Sequence, residues 1–574
     1  MEFHDLTAQL TREIATVDRM FGDPGSVTEG IRPLSAAEVD LLTSGGNRCD
    51  DWSSVRVGAA TELDRIRDCD FSGRVIIGAV RTLARSSVCN SVVADGATIE
   101  AYSTVDSAFI DAGATIHRAT VGQRQQQAPA DHRFGIGTEF VVGSEAGERT
   151  LHVQPGLSAQ QAFAQATERF DDTAWRAASE RFASVASQDA SYPDTYIGPE
   201  ATIANATVRG SWVAAEARVA DYAIVESSAL LSEPSRAVVV SAGARVRHSV
   251  LHHDVEICDG ATIERAIVHT QVHVGTGCIV RETVVGSACS IAGGEIHASI
   301  LGPLVAAHHQ SLLIGCLWPG GRGNVGYGAN VGSNHTGRVP DQEIRPGEGM
   351  FFGLGSSIKF PGNYERAPYT IVASGVVVPP QRLDLPFSLI ADDGDGVRVV
   401  PAWVLRSNMY GVARNEQKFA RRLAQGDTRV LRPELADTMA QAADLLQQAV
   451  EANAFERAAF GVCRLSQADA ATAIVEYRRW AQYSRLRQAI ADGQALSSEE
   501  LDRFCSDAKE LVLRTVMSRR RDYRRGERVF DDYRVRRVEL AEDPVVRRLQ
   551  HDLEQVAATL SVDLKLGELT FELD

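Results

Sequence analysis

The stretch that decides the fold runs from residue 240 to residue 301 and contains four similar segments. They read VSAGARVRHSV (240–250), ICDGATIERAI (257–267), VGTGCIVRETV (274–284) and IAGGEIHASIL (291–301). Successive segments start 17 residues apart. Within each segment an aliphatic residue recurs about every six positions and a small residue follows it, which is neither the period of an α-helix nor strict alternation. Each 17-residue repeat is therefore predicted to form one coil that contains three short parallel strands.

The same pattern occurs earlier in the chain. VADGATIEAYSTV begins at Val93 and IDAGATIHRATV at Ile110, again 17 residues apart, and related segments begin at Ile197 and Val213. A single coil cannot bury its apolar edge, so such coils have to stack, each covering the next. Neighbouring coils then pair through backbone hydrogen bonds at about 4.8 Å per step. The sequence predicts a β-solenoid.

Two segments, VVADGATIEAYSTV (92–105) and EICDGATIERAIV (256–268), resemble the hexapeptide repeats of the left-handed parallel β-helix superfamily. The whole chain also resembles a long, functionally uncharacterised bacterial hexapeptide-repeat family. The superfamily resemblance implies a left-handed parallel β-helix. It also implies a homo-oligomer, most often a trimer, and many enzymes of this superfamily are acyltransferases.

The repeat is interrupted by segments with helical patterns. Residues 158–186 have apolar residues at helical spacing behind Ser158, a good N-cap, which predicts an inserted helical hairpin. Helical patterns also start the chain and dominate it after Pro401. The predicted segments are an N-terminal helical or irregular segment (1–50), a first solenoid section (51–124), the helical insertion (125–193), the main solenoid (194–400) and an α-helical C-terminal region (401–574).

Composition limits the class of protein. The formal charge of −16 argues against non-specific binding to nucleic acid, and no apolar run reaches the ~18 residues of a membrane span. The nine cysteines include no CxxC pair, which fits reduced thiols better than a disulfide framework. We expect a cytoplasmic protein with no membrane partner.

A glycine-rich loop at 315–363 breaks the regular coils. Thirteen of the 48 residues from 315 to 362 are glycine, and polar side chains are interleaved with them. Glycine lets a ligand approach main-chain N–H groups, and loops held by a rigid scaffold often carry function. Polar residues of this loop are the predicted substrate-binding residues: Asn324, Asn330, Asn334, Arg338, Lys359, Asn363 and Arg366.

Within the loop, GANVGSNHTGR (328–338) is similar to the glycine-rich stretch of β-helix sugar acyltransferases. That similarity implies His335 as the general base, with Asp341 or Glu343 orienting its ring. It also implies acetyl-CoA or another acyl thioester as the donor, and a sugar, nucleotide sugar or small amine as the acceptor. No tightly bound cofactor and no metal is expected for this activity.

Histidines cluster before the loop, and they leave two alternatives open. His252 and His269 are 17 residues apart, so stacked coils would place them about 5 Å apart, and His273 follows nearby. Together with His248 they suggest a hydratase-like metal site, whereas His308 and His309 are candidates for the cleft of His335. A sugar- or nucleotide-binding or scaffolding solenoid without catalysis is the other alternative.

Overall fold

A computed structural model describes residues 3–23, 25, 28–122, 133–143, 149–167, 193–333, 343–423, 427–456, 458–527 and 543–566. The chain forms two compact units. The first comprises Met1–Gly321 and Gly337–Glu343, and the second comprises Arg322–Thr336 and Ile344–Asp574. Both contain parallel β-solenoid coils, which confirms the predicted fold class.

Three long sheets form the walls of the first unit, and all their strand pairs are parallel except the first pair of sheet A. Sheet A contains Arg32–Pro33, Val55–Val57, Val75–Ile77, Val92–Val93, Ala108–Ile110, Thr195–Ile197, Trp212–Val213, Ala229–Leu231, Val250–His252, Ile267–Val268, Val284–Val285, Ile300–Leu301 and Leu317–Trp318. Sheet B contains Arg48–Cys49, Asp70–Ser72, Ser87–Cys89, Thr104–Asp106, Thr120–Gly122, Thr207–Arg209, Ile224–Glu226, Arg245–Arg247, Thr262–Glu264, Ile279–Arg281, Glu295–His297 and Leu312–Ile314. Sheet C contains Ile66–Arg67, Thr82–Ala84, Thr98–Glu100, Thr115–His117, Thr202–Ala204, Arg218–Ala220, Val239–Val240, Glu256–Ile257, His273–Gly275, Ser290–Ala292 and Ala306–Ala307.

The strand register reproduces the 17-residue repeat. Val246 pairs with Ile263 and Ile263 pairs with Val280 on three successive coils of sheet B. All three side chains are fully buried, so each aliphatic residue packs between the equivalent residues of the coils before and after it. The flanking residues of these strands are partly or fully exposed. The six-residue spacing thus marks the inward position of each wall.

Small polar residues bond successive coils at one corner. The Ser228 N–H donates to the hydroxyl of Ser211 at 3.2 Å, and the Ser249 N–H donates to the hydroxyl of Ser228 at 3.2 Å. The Ser249 hydroxyl in turn accepts from the Ala266 N–H at 3.1 Å and donates to the Arg247 carbonyl at 2.6 Å. These serines are buried, so their hydroxyls satisfy backbone groups that water does not reach.

Sheet A is covered on its outer face by other parts of the first unit. Its outward side chains, among them Phe109, Trp212 and Ile267, belong to one buried apolar cluster. Helix α1 (Phe3–Gly22) and the insertion contribute the remaining side chains of that cluster. Arg133 of the insertion and Asp18 of α1 form a two-bonded ion pair at 2.7 and 2.8 Å. A second N-terminal helix, α2, spans Ala36–Ser44.

The insertion differs from an all-helical hairpin in its described part. An antiparallel strand pair, Glu139–Val141 with Thr150–His152, precedes helix α3 (Ala159–Ala166). Ser158 caps α3 in a capping box with Gln161, as the sequence predicts. The strand pair was not predicted. The rest of the predicted hairpin, 168–192, lies outside the described residues.

The second unit has shorter sheets. Sheet D contains Asn324–Val325, Phe351–Phe352, Ile371–Val372, Leu389–Asp392 and the antiparallel Val397–Val400. Sheet E contains Asn330–Ser333, Ser357–Lys359 and Val377–Val378, and sheet F contains Ile344–Arg345, Gly362–Asn363 and Gln381–Arg382. These strands lie within the range 194–400 that the sequence predicts as the main solenoid.

Helices follow the last coils of the second unit. They are α4 (Trp403–Ser407), α5 (Met409–Arg422), α6 (Pro433–Ala452), α7 (Gln467–Ala491), α8 (Ser498–Glu527) and α9 (Pro544–Thr559). After α7, Gly493 adopts a φ of +71°, and before α8 the Ser497 hydroxyl accepts from the Glu500 N–H at 3.3 Å.

Removing one corner hydroxyl should destabilise the solenoid. We expect Ser249→Ala to lower the free energy of unfolding by about 1–3 kcal/mol, because the buried N–H of Ala266 loses its acceptor. Urea denaturation of the full chain measures the change. The control is Ser290→Ala, at a half-exposed outward position, expected within about 0.5 kcal/mol of wild type. Equal losses in the two variants would show that the corner bond contributes nothing specific.

Candidate functional site

The predicted catalytic loop starts at an irregular point of sheet E. Asn330 pairs with Ser357, but the register shifts between Val331 and Ser333, so that Ser333 lies opposite Lys359. Gly332, within the shift, has a φ of +108°, a conformation that favours glycine. This β-bulge bends the strand where the loop begins. Asn334, His335, Arg338 and Asp341, which sequence analysis singled out, lie outside the described residues.

One buried polar atom lies beside the bulge. The Oδ1 atom of Asn330 is shielded from solvent and has no hydrogen-bond partner among the described residues. Buried amide oxygens are almost always bonded, so this atom is suited to accept from a ligand hydroxyl or amide. Lys359, half-buried opposite Ser333, adds a cation at the start of the loop.

The other predicted binding residues lie on different walls of the second unit. Asn324 pairs with Phe351 in sheet D. Asn363 pairs with Arg345 in sheet F, and its side chain bonds to Glu365. Arg366 follows in an exposed turn. Among the described positions, strand pairing therefore brings only Asn330 and Lys359 together on one sheet at the start of the loop.

Glu343, the predicted alternative partner for His335, is held by another residue. Its carboxylate lies 2.7 Å from Arg149 of the insertion, and both belong to the first unit. Both side chains are largely buried, at 27% and 18% exposure. This ion pair holds the Glu343 carboxylate against the insertion.

A buried ion cluster that sequence analysis missed joins coils and helices inside the second unit. Glu348 lies 2.5 Å from Arg432 at the start of α6 and 3.4 Å from Arg322, and it accepts from the Tyr369 hydroxyl at 2.9 Å. Burial, and then the neighbouring Glu348, raises the pKa of Tyr369 well above its usual value. No short motif marks this cluster, because its members are up to 110 positions apart in the chain.

Of the histidines that suggested a metal site, His252 and His269 form a buried pair and His273 lies apart from them at the surface. The rings of His252 and His269 are 4.7 Å apart, close to the spacing expected of stacked coils. They lie on sheet A under the insertion, where Nε2 of His269 is 3.0 Å from the Leu157 carbonyl. Burial lowers the pKa of both rings, and in His252 the neighbouring His269 lowers it further. His273 lies on sheet C, so the three rings do not form one site.

The remaining predicted histidines are at the surface. His248 lies at a corner with a φ of +48° and is half-buried, and burial lowers its pKa. His308 and His309 are exposed after the strand Ala306–Ala307. They belong to the first unit. His335, whose cleft they were predicted to share, lies outside the described residues.

The helices of the second unit enclose a cavity of about 400 Å³ with a net positive lining. Arg421, Arg429, Arg487 and Arg548 face two acids, Glu416 and Asp552. Arg429 is bound to Asp427 and Arg548 to Asp552, whereas the nearest acid to Arg487 is Glu416 at 3.9 Å. Guanidinium groups in such a setting can hold an anion.

Fold and site together define a parallel β-solenoid protein that has an irregular strand end at Asn330–Ser333 and helices after its last coils. The chain belongs to a family described as a domain of unknown function (DUF4954), whose profile matches residues 31–435. It is similar to an uncharacterized protein of Treponema pallidum (strain Nichols), with 30% identity over 433 aligned residues, and the match covers 68% of this chain. The chain spans 57% of the length of that relative. In the described part of the chain, no helix combines the length and hydropathy required to cross a membrane.

The buried histidine pair should make stability depend on pH. The folded state holds both rings at a lowered pKa, whereas unfolding returns them to about 6.5, so acid favours the unfolded state. Below about pH 6.5 we expect the pair to reduce the free energy of unfolding by up to about 1.4 kcal/mol per pH unit for each ring. Above that pH it has no effect on the slope.

Urea denaturation between pH 5 and pH 8 tests this expectation. The double variant His252→Gln/His269→Gln should show a shallower loss of stability below pH 6.5 than wild type, and the same slope above it. Identical slopes in wild type and variant at low pH would show that the two rings take up protons in the folded state.

Proposed function

We propose that this protein is an acyltransferase of the hexapeptide-repeat type, with its reactive centre in the loop that follows Asn330–Ser333. The observation that supports it best is the β-bulge of that strand, which carries an Asn330 Oδ1 without a hydrogen-bond partner among the described residues and places Lys359 opposite Ser333. A polar, irregular strand end on a rigid wall is a suitable base for a catalytic loop. Acyl transfer accounts for the histidine, amides and glycines in the sequence that follows.

In the proposed reaction His335 takes a proton from an acceptor hydroxyl or amine. The acceptor oxygen or nitrogen attacks the thioester carbonyl, a C–O or C–N bond forms, and the C–S bond breaks. The thiolate of the coenzyme A-type donor leaves and takes up a proton. Main-chain N–H groups near Gly332 or Gly337 stabilise the oxyanion. Asp341 orients the imidazole, and Asn330, Asn334, Arg338 and Lys359 bind the acceptor or the donor phosphates.

Assembly and location are part of the same proposal. We place the protein in the cytoplasm, where acyl thioesters are available, and assign the coils to the left-handed hexapeptide-repeat superfamily. A homotrimer would follow from that assignment, and mass measurement in solution distinguishes it from a monomer. The competing function is a sugar- or nucleotide-binding solenoid without catalysis.

Thiol release from acyl-coenzyme A tests the activity. With a panel of sugars, nucleotide sugars and small amines, we expect wild type to release free thiol with at least one acceptor. His335→Ala should lower the rate about 10²–10⁴-fold, because the acceptor loses its general base. Lys359→Ala should raise KM more than it lowers kcat. The matched control is His551→Ala, an exposed histidine of α9 with no predicted role, expected to leave the rate unchanged.

Two outcomes would contradict the proposal. One is full activity in the His335→Ala variant, with the rate equal to that of the His551→Ala control. The other is thermal stabilisation by a nucleotide sugar or coenzyme A with no thiol released from any donor, which would favour the non-catalytic binding function.

A further inference from the structure

A second cluster of reactive side chains lies on the outer face of sheet C, in the first unit. Glu256 and Cys258 come from one coil and His273 from the next, where Glu256 and His273 are register partners. Each of the three offers a ligand atom, and these atoms all lie within 4.8 Å of one another. Nδ1 of His273 is 3.0 Å from the Glu256 carboxylate, which holds the ring in place. Carboxylate, thiol and imidazole are three classes of zinc ligand.

Gly275 leaves space beside these groups. It is one repeat after Cys258 and ends the strand that begins with His273. A Cβ atom at this position would lie 3.2 Å from Nε2 of His273, 3.4 Å from Sγ of Cys258 and 3.6 Å from Oδ2 of Asp259. Gly275 does not have a positive φ, so its backbone does not require glycine. The missing side chain opens a small space surrounded by an imidazole nitrogen, a thiol and a carboxylate.

The charges around this space are negative. Burial, and then the neighbouring carboxylates of Asp259 and Glu256, raise the pKa of the Cys258 thiol to about 11. Cys258 itself is buried, whereas Glu256 and His273 are exposed. A divalent cation would reverse this effect, because it stabilises the thiolate and neutralises the two carboxylates.

We propose that Glu256, Cys258 and His273 form a binding site for Zn²⁺ or a chemically similar divalent transition-metal ion, with Asp259 beside it. Thiolate, imidazole and carboxylate together suit Zn²⁺ and Co²⁺ and do not suit Mg²⁺ or Ca²⁺, which take oxygen ligands. Binding releases the thiol proton to solvent. The site contains none of the residues proposed for acyl transfer. It shares only His273 with the metal site of His248, His252, His269 and His273 that the sequence suggested.

The same sheet provides a matched control. His117 and Glu100 are also register partners on adjacent coils, with Nδ1 of His117 3.2 Å from the carboxylate. Sheet C therefore carries two glutamate–histidine pairs, but the His117 pair belongs to no group of three potential ligands among the described residues. If a glutamate–histidine pair alone were enough to hold a metal ion, the ion would bind at both pairs.

Metal titration of the full chain, freed of metal by chelator dialysis, tests the site. We expect one Zn²⁺ per chain, and with Co²⁺ a thiolate-to-metal charge-transfer band in the near ultraviolet. Cys258→Ser should abolish that band, and His273→Ala should weaken binding at least about tenfold. Gly275→Ala should also weaken binding, because it fills the space while keeping every donor. His117→Ala should bind as wild type does.

Three results would overturn the proposal: no stoichiometric binding by wild type, an unchanged Co²⁺ band in Cys258→Ser, or equal loss of binding in His117→Ala and His273→Ala. Thermal denaturation of each variant shows whether it is folded. Should Cys258→Ser not fold, His273→Ala decides, because that side chain is 48% exposed and its removal leaves the core intact.

Discussion

Each coil of this protein depends on the next, because an inward aliphatic side chain can be covered only by the equivalent side chain of a neighbouring coil. Ile263 is buried between Val246 and Val280, and backbone hydrogen bonds join the same three strands. Neither interaction exists within one isolated coil, which explains why the repeat recurs many times. Departures from regular winding are therefore tolerated mainly at corners and strand ends, where they interrupt fewer of these contacts. The insertion (125–193) follows the strand that ends at Gly122, and the loop follows the strand that ends at Ser333.

This constraint also decides where chemistry can occur. Inward positions are filled with aliphatic side chains, and the outer face of sheet A is covered by α1 and the insertion. The walls that remain open carry outward residues that meet their register partners one coil away. Pairs such as Glu100 with His117 and Glu256 with His273 arise from this spacing. The two sites that we propose each have more than such a pair. One has a third donor, Cys258, and the other has a loop after the strand that contains Asn330.

Sequence patterns predicted the solenoid, its interruption and the helical C-terminal region, because period and residue type repeat. They did not predict the strand pair Glu139–Val141 with Thr150–His152, whose strands are three residues long and are stabilised by Phe140 and Leu151 in the cluster over sheet A. The ring spacing of His252 and His269 followed from the repeat. His273 did not join them because four further residues carry the chain around a corner to another wall.

By itself the sequence determined the coil, its inward positions and the residues that are available for chemistry, because these follow from spacing along one chain. Only the tertiary structure decided which outward residues share a wall, which wall is covered and which donors meet. The relative positions of coils and helices bring Glu348 to Arg432 and Cys258 to His273. Corner conformations and packing between distant segments set these positions, and no local pattern of residues encodes them.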